Sequence, residues 1–402
     1  MRRRKAERYM IIKNGKVVTK EKILSGFDIK CENGKITEIA ENLPPCDDTL
    51  FADGMFVLPG LVDIHTHGGY GADFMDATKE AFDTALSFHM QNGTTSVLAS
   101  SVTAPVESIE KMLCATRGYM KKSGGVCRVL GAHIEGPFIS YKNKGAQKAE
   151  YLRVPEKDGY SFITDNADII KNVTIASELD GAVQMTKKLT SLGITVSCGH
   201  DDGNLLTLLP CIDAGMTNCT HWSCAMSSAA VRDGVKNVGL TELALIDERL
   251  TLELLADNHH LPPEMVKLAY KCRGADKLCI VSDCLRAGGM PRDGRVYSLG
   301  AGAEGETSRF IVSDGVARLT DGTRFAGSIQ PLGKMIRNLV FDCNIPLVDA
   351  VKAASANPAK IIGEDGFVGS IEKGKAADFY ICDAALNPKM TIVNQKIKNK
   401  LM

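Results

Sequence analysis

From residue 61 to residue 283 the chain repeats one pattern eight times: a short β-rich run, then a stretch of helical period. The runs are Leu61 to Thr66, Thr95 to Ser100, Val129 to Glu135, Asn172 to Glu178, Thr195 to His200, Thr217 to His221, Thr251 to Asp257 and Leu278 to Asp283. Strands that alternate with helices build parallel βα units. Eight such units predict an α/β fold, a closed (β/α)8 TIM-type barrel over an open sheet.

The barrel is predicted over residues 59–359. The stretch before it, residues 1–58, reads as short strands, Met10 to Ile12, Lys16 to Val18 and Lys35 to Ile39, with turns at Asn14-Gly15 and Asn33-Gly34. Residues 360–402 read alike, with strands at Phe367 to Ile371, Asp378 to Ile381 and Met390 to Val393. Neither end has enough strands for a stable sheet. Pairing them predicts one small β-sandwich-like domain formed by both chain ends. The Gly-rich stretch from Asp293 to Phe325 reads as hairpins inserted late in the barrel.

A chain of 402 residues suits a barrel of about 250 residues plus a smaller module. The formal net charge is +0, so neither nucleic acid nor a membrane surface is expected as a partner. The 13 cysteines include no C-x-x-C pair, which predicts free thiols in a reducing cytoplasm. Met1-Arg2-Arg3-Arg4-Lys5 is basic, but no apolar segment follows it, so a signal peptide is not predicted. No apolar run reaches about 18 residues, so neither is a membrane-spanning helix.

In such a barrel the chemistry gathers at the C-terminal ends of the strands. The first run ends in His65-Thr66-His67, the third in His133-Ile134-Glu135-Gly136-Pro137, the fifth in His200, the sixth in His221 and the eighth in Asp283. The fourth ends in Glu178 and the seventh in Asp257, followed by His259-His260. Of the 8 histidines only His89 lies elsewhere. Side chains alternate along a strand, so His65 and His67 point the same way and both reach one metal. Glu135, His200 and His221 converge on it once the barrel closes. Several imidazoles with carboxylates suit Zn²⁺ or Fe²⁺, not Ca²⁺ or Mg²⁺. Such a metal lowers the pKa of a bound water, and Asp283 is placed to act as general base and then general acid. Taken singly, H-x-H is a weak signal, Asp283 suits a helix N-cap and His133 suits packing. Their joint placement on one rim carries the metal-site reading.

Those residues also resemble a known family. Pro59-Gly60-Leu61-Val62-Asp63-Ile64-His65-Thr66-His67-Gly68 resembles the opening of the amidohydrolase superfamily. His133-Ile134-Glu135-Gly136-Pro137-Phe138, Gly199-His200, Thr220-His221, Ala256-Asp257 with His260, Ser282-Asp283, Ala326-Gly327-Ser328 and Asn357-Pro358-Ala359 are together similar to the N-acetylglucosamine-6-phosphate deacetylase family. The resemblance runs from about Ile11 to Val393. It implies hydrolysis of an N-acetylated amino-sugar phosphate, with Asp283 as acid and base. It implies a main metal site on Glu135, His200 and His221. His65 and His67 match the positions that hold a second ion, which gives one or two divalent ions, Zn or Fe, per subunit. Arg232 matches a phosphate-binding Arg, and His260 a His that contacts the sugar phosphate. Ala146, Gln147, Cys224, Ala225, Gly327 and Ser328 match segments around the substrate. A homodimer is implied as well.

Three positions depart from the family pattern: Cys224 stands where an Asn is usual, Gln147 where a His is usual, and Asn258 where a Gly is usual. All three fall where the pocket chooses its substrate. The readings left open are therefore a deacetylase of N-acetylglucosamine 6-phosphate, one of N-acetylgalactosamine 6-phosphate or another small N-acyl amide, and a catalytically silent barrel that binds sugar phosphates.

Overall fold

The computed structural model describes residues 9–121, 125–232, 234–301 and 308–400; the basic start of the chain and the side chain of Arg232 lie outside the described set. Eight parallel strands form one sheet in sequence order: β1 (Leu61–Thr66), β2 (Thr94–Ser100), β3 (Arg128–Glu135), β4 (Ile170–Ile175), β5 (Thr195–Cys198), β6 (Asn218–Cys219), β7 (Thr251–Leu254) and β8 (Leu278–Ile280). Beyond β8, Asp283 N donates to His65 O at 2.9 Å and Ser282 N donates to Asp63 Oδ1 at 3.2 Å. These bonds bring the exit of the eighth strand back against the first. Every residue of β1 and β2 is buried, as expected for parallel strands covered on both faces.

The helices follow from local signals. Helix Lys79–Gln91 starts where the Thr78 side chain accepts from Ala81 N, and it buries Phe82, Ala85, Leu86 and Phe88. Helix Leu205–Asp213 starts at Asn204, whose side chain accepts from Leu206 N. Helix Pro263–Arg273 opens on Pro, whose missing N–H is free at that position, and stops at Gly274 with φ 65°.

The chain ends pair as predicted. Strand Phe379–Cys382 runs antiparallel to Phe56–Pro59 inside a six-stranded sheet that also holds Lys16–Val18, Ile23–Leu24, Pro388–Val393 and Lys396–Lys400. A four-stranded sheet of Tyr9–Lys13, Phe27–Glu32, Lys35–Glu41 and Thr49–Phe51 packs beside it, around a separate core that includes Ile12, Val57, Phe379 and Ile392. Phe367 to Ile371, expected as a strand, is not one. Val368 and Ile371 are buried in two different apolar clusters. They supply the hydrophobic signal of a strand without a neighbour to complete a ladder.

The Gly-rich stretch after β8 forms an antiparallel sheet of Val296–Ser298, Arg309–Ser313, Val316–Leu319 and Phe325–Gly327. It precedes helix Leu332–Phe341 and stands over the C-terminal rim of the barrel, where Ser328 N donates to Asp283 O at 3.0 Å.

Candidate active site

The predicted strands run too long at the site. β5 ends at Cys198, β6 at Cys219 and β8 at Ile280, so His200, His221 and Asp283 lie in the turns just past them. All three take left-handed backbone, with φ of 49°, 29° and 43°. A non-glycine residue there costs about 1–3 kcal/mol and persists only where its surroundings hold it. Here neighbouring segments hold them: Ser140 N donates to His200 O at 2.8 Å, His221 N to Glu253 Oε2 at 3.3 Å and Asp283 N to His65 O at 2.9 Å.

His65 Nε2 lies 3.3 Å from Glu135 Oε1 and 3.7 Å from Asp283 Oδ1. His67 Nε2 lies 3.6 Å from Glu135 Oε2 and 3.1 Å from Asp283 Oδ1. On the other side, His200 Nε2 and His221 Nε2 stand 3.2 and 3.3 Å from Glu135 Oε1 and 3.1 Å from each other. Two candidate ligand groups result, His65–His67–Glu135 and Glu135–His200–His221, and each keeps its ligand atoms within 4.8 Å of one another. Glu135 belongs to both. Tetrahedral ligands at about 2.0–2.1 Å from Zn²⁺ stand about 3.3 Å apart, so the spacing fits. Among the described residues the buried Nε2 of His65 has no hydrogen-bond partner, which is the condition of a nitrogen kept for a cation.

Outer contacts fix the rings. His200 Nδ1 donates to Asn143 O at 2.8 Å; a carbonyl only accepts, so Nε2 keeps its lone pair. His65 Nδ1 stands 3.1 Å from Glu253 Oε2. Glu253 is wholly buried and also accepts from Asn218 Nδ2 at 2.8 Å and from His221 N at 3.3 Å. One carboxylate thus orients a histidine of each group. Gln147 Nε2 donates to Glu135 Oε2 at 2.7 Å. His133 takes no part: its Nδ1 meets Ser100 Oγ at 3.0 Å and its Nε2 meets Thr174 Oγ1 at 2.8 Å.

The local field is strongly negative. Burial opposes charge on His65, yet Glu135, Glu253 and Asp283 hold its pKa well above the ordinary value. Burial likewise opposes charge on His67, and Asp283 and Glu135 raise it. Burial pushes Glu135 and Asp283 upward, but the surrounding imidazoles hold both below the usual carboxylate range. Asp283 is therefore an anion at neutral pH, able to accept a proton. A divalent cation would meet the same field that these imidazoles feel.

A cleft of about 450 Å³ opens onto His67, Glu135, His200, His221 and Asp283. Ala146, Gln147, Cys224, Ala225, His260 and Gly327 line it. At Gly145, with φ 57°, a Cβ would come within 3.1 Å of His200 Cε1, so the loop passes the candidate ligand group without a side chain. His260 Nδ1 is 2.8 Å from Asp257 Oδ2, and Asp257 Oδ1 accepts from the backbone N of both His259 and His260. Burial pushes the Cys224 thiol up to about 12, with Asp283 and Asp257 adding to it, so it is neutral. Ser328 is brought near but does not line the cleft: it is fully buried, and its Oγ accepts from Gln330 N. Three site residues escaped the sequence reading. Glu253 is a lone charge inside the apolar run Thr251 to Ala256, and that isolation was its signal. Arg318 and Arg324 line the cleft from the inserted sheet, which no spacing rule ties to the barrel.

The fold and this rim define the class. The model for the "Amidohydrolase family" matches residues 56–400, and the chain belongs to that family. Within it, the chain is 32% identical to the N-acetylglucosamine-6-phosphate deacetylase of Bacillus subtilis (strain 168), over 96% of each chain. It is 30% identical to the N-acetylgalactosamine-6-phosphate deacetylase of Escherichia coli O157:H7, over 94% of this chain and 96% of that one. Among solved structures it is similar to the N-acetylglucosamine-6-phosphate deacetylase of Pasteurella multocida, with a TM-score of 0.89 and 27% identity, over 98% of this chain and 100% of that one.

Proposed function

We propose that this chain hydrolyses the N-acetyl group of N-acetylglucosamine 6-phosphate, giving acetate and glucosamine 6-phosphate. The observation that carries the reading is Asp283. Its carboxylate lines the cleft, 3.1 Å from His67 Nε2 and next to the two ligand groups that share Glu135.

His65, His67 and Glu135 would hold one divalent cation, and Glu135, His200 and His221 another; Zn²⁺ and Fe²⁺ match the donors. When bound, such a cation polarises the amide carbonyl and acidifies water. Asp283 accepts a proton from the attacking water as the new C–O bond forms. It returns that proton to the nitrogen as the C–N bond breaks, so amine and acetate leave. His67 keeps Asp283 anionic and aimed. Gly327 and Ala225 give the sugar ring a wall without bulk. His260, oriented by Asp257, faces the substrate from across the cleft, and Arg232 serves as a phosphate ligand. A cytoplasmic location fits the thirteen cysteines, which are all free thiols. A homodimer is proposed on the resemblance alone.

The near-equal identity to the galactosamine-type relative favours a second reading, in which the substrate is the other epimer. An assay of amine release from both epimers, with and without the 6-phosphate, on protein of measured metal content tests both. The highest kcat/KM is expected for N-acetylglucosamine 6-phosphate. A preference for the galacto epimer selects the second reading, and metal-loaded protein that releases amine from none of the four overturns both.

A further inference from the structure

The outer wall of the cleft holds two guanidinium groups to which the reaction above gives no role. Arg318 lies in strand Val316–Leu319 and Arg324 just before strand Phe325–Gly327; both line the cleft that ends at Glu135 and Asp283. The guanidinium carbon of Arg318 stands 4.5 Å from the centre of the Phe325 ring. The His260 ring lies 5.0 Å from the same ring, tilted by 57°. One aromatic side chain therefore supports both a fixed cation and the imidazole that Asp257 orients.

Among the described residues Arg318 and Arg324 form no ion pair with a carboxylate, although the chain carries 48 acidic residues and no net charge. Asp321 is close enough to feel Arg324, but its Oδ1 is taken up by Thr323, whose N and Oγ1 donate to it at 2.9 and 2.7 Å. Two unpaired guanidiniums facing one cleft are a binding site in want of an anion. Their planar forks suit a phosphate, which accepts two parallel N–H bonds from each.

We propose that Arg318 and Arg324, braced by Phe325 and joined by His260, form an anion grip that binds the phosphate of the acyl-amino-sugar substrate. The inference rests on the deacetylase reading and makes the inserted sheet, not the barrel alone, a determinant of phosphate selectivity.

The test compares the wild-type enzyme with Arg318→Gln, Arg324→Gln, the double variant and Arg318→Lys. The readouts are kcat/KM on N-acetylglucosamine with and without 6-phosphate, and the inhibition constant of inorganic phosphate. Each glutamine variant is expected to lose about ten- to a hundred-fold on the phosphorylated substrate only, with the inhibition constant for phosphate rising in parallel. Arg318→Lys, which keeps charge but not the fork, is expected to recover part of the loss. Equal loss on both substrates, or an unchanged inhibition constant, overturns the grip. A wild-type enzyme inert on all sugars overturns the deacetylase reading instead. Calorimetric titration with inorganic phosphate then decides the grip alone: binding weakened in the Arg variants supports it, and unchanged or absent binding overturns it.

Discussion

The side-chain amide of Gln147 is clamped between Thr103 N, which donates to its Oε1 at 2.8 Å, and Glu135 Oε2, to which its Nε2 donates at 2.7 Å. A backbone N–H can only donate, so the orientation of the amide is fixed. Gln147 lines the cleft, but its amide is committed to aiming the shared carboxylate. Gln147→Leu is expected to weaken divalent-metal affinity by about 10- to 100-fold, the usual cost of losing an outer contact to a ligand. Competition against a chelator of known affinity measures it; unchanged affinity would show that Glu135 needs no such aim.

Glu253 makes the same kind of prediction from the opposite side. It fixes His65 through Nδ1 and His221 through its backbone N–H. Glu253→Ala is expected to lower metal content and to leave a buried gap, destabilising the fold by about 2–5 kcal/mol. Glu253→Gln preserves shape and one acceptor, so it separates the two effects: its thermal midpoint should stay near that of the wild type while its metal content falls.

Asp283→Asn keeps the shape of the side chain but cannot accept a proton. Turnover is expected to fall by about 10²- to 10⁴-fold with metal content within twofold of wild type. Near-normal turnover by the metal-loaded variant would remove Asp283 from the chemistry.

Away from the chemistry, Glu178 gives a pH prediction. Burial, with Asp201 beside it, pushes its carboxyl up to about 8 from an ordinary 4.5. The folded state thus holds a proton that the unfolded chain releases. Its contribution to stability is full below about pH 4.5 and is lost as pH rises to about 8. Glu178→Gln is uncharged throughout and should flatten the fall. Urea midpoints measured from pH 5 to 9 should converge at the acid end and favour the variant at the alkaline end. Parallel curves would contradict the assignment.

Much of this arrangement was legible in the residues. His65 and His67 were readable because side chains two apart on an extended chain face one way, and that held here although the register of β1 against β2 shifts between Asp63 and Thr66. The pairing of the chain ends was readable because each end lacked strands for a sheet of its own. The true ends of β5, β6 and β8 were not. His200, His221 and Asp283 turn left-handed without a Gly or Asn to mark it, held by contacts made from other strands. Glu253 stood out in the sequence only as a lone charge in an apolar run; its role needs Asn218, His65 and His221, which come from other strands. Arg318 and Arg324 joined the site only through the way the inserted sheet leans over the rim.

That sheet has a consequence for how such an enzyme changes its diet. The groups that cut the amide ride on the barrel, whereas Arg318, Arg324 and Phe325 ride on a separate antiparallel ribbon between β8 and helix Leu332–Phe341. Substitutions over residues 318–326 can reshape what is admitted without disturbing what is done to it. A library randomised only there should yield descendants with new tastes in acylated sugars and an unaltered complement of metal.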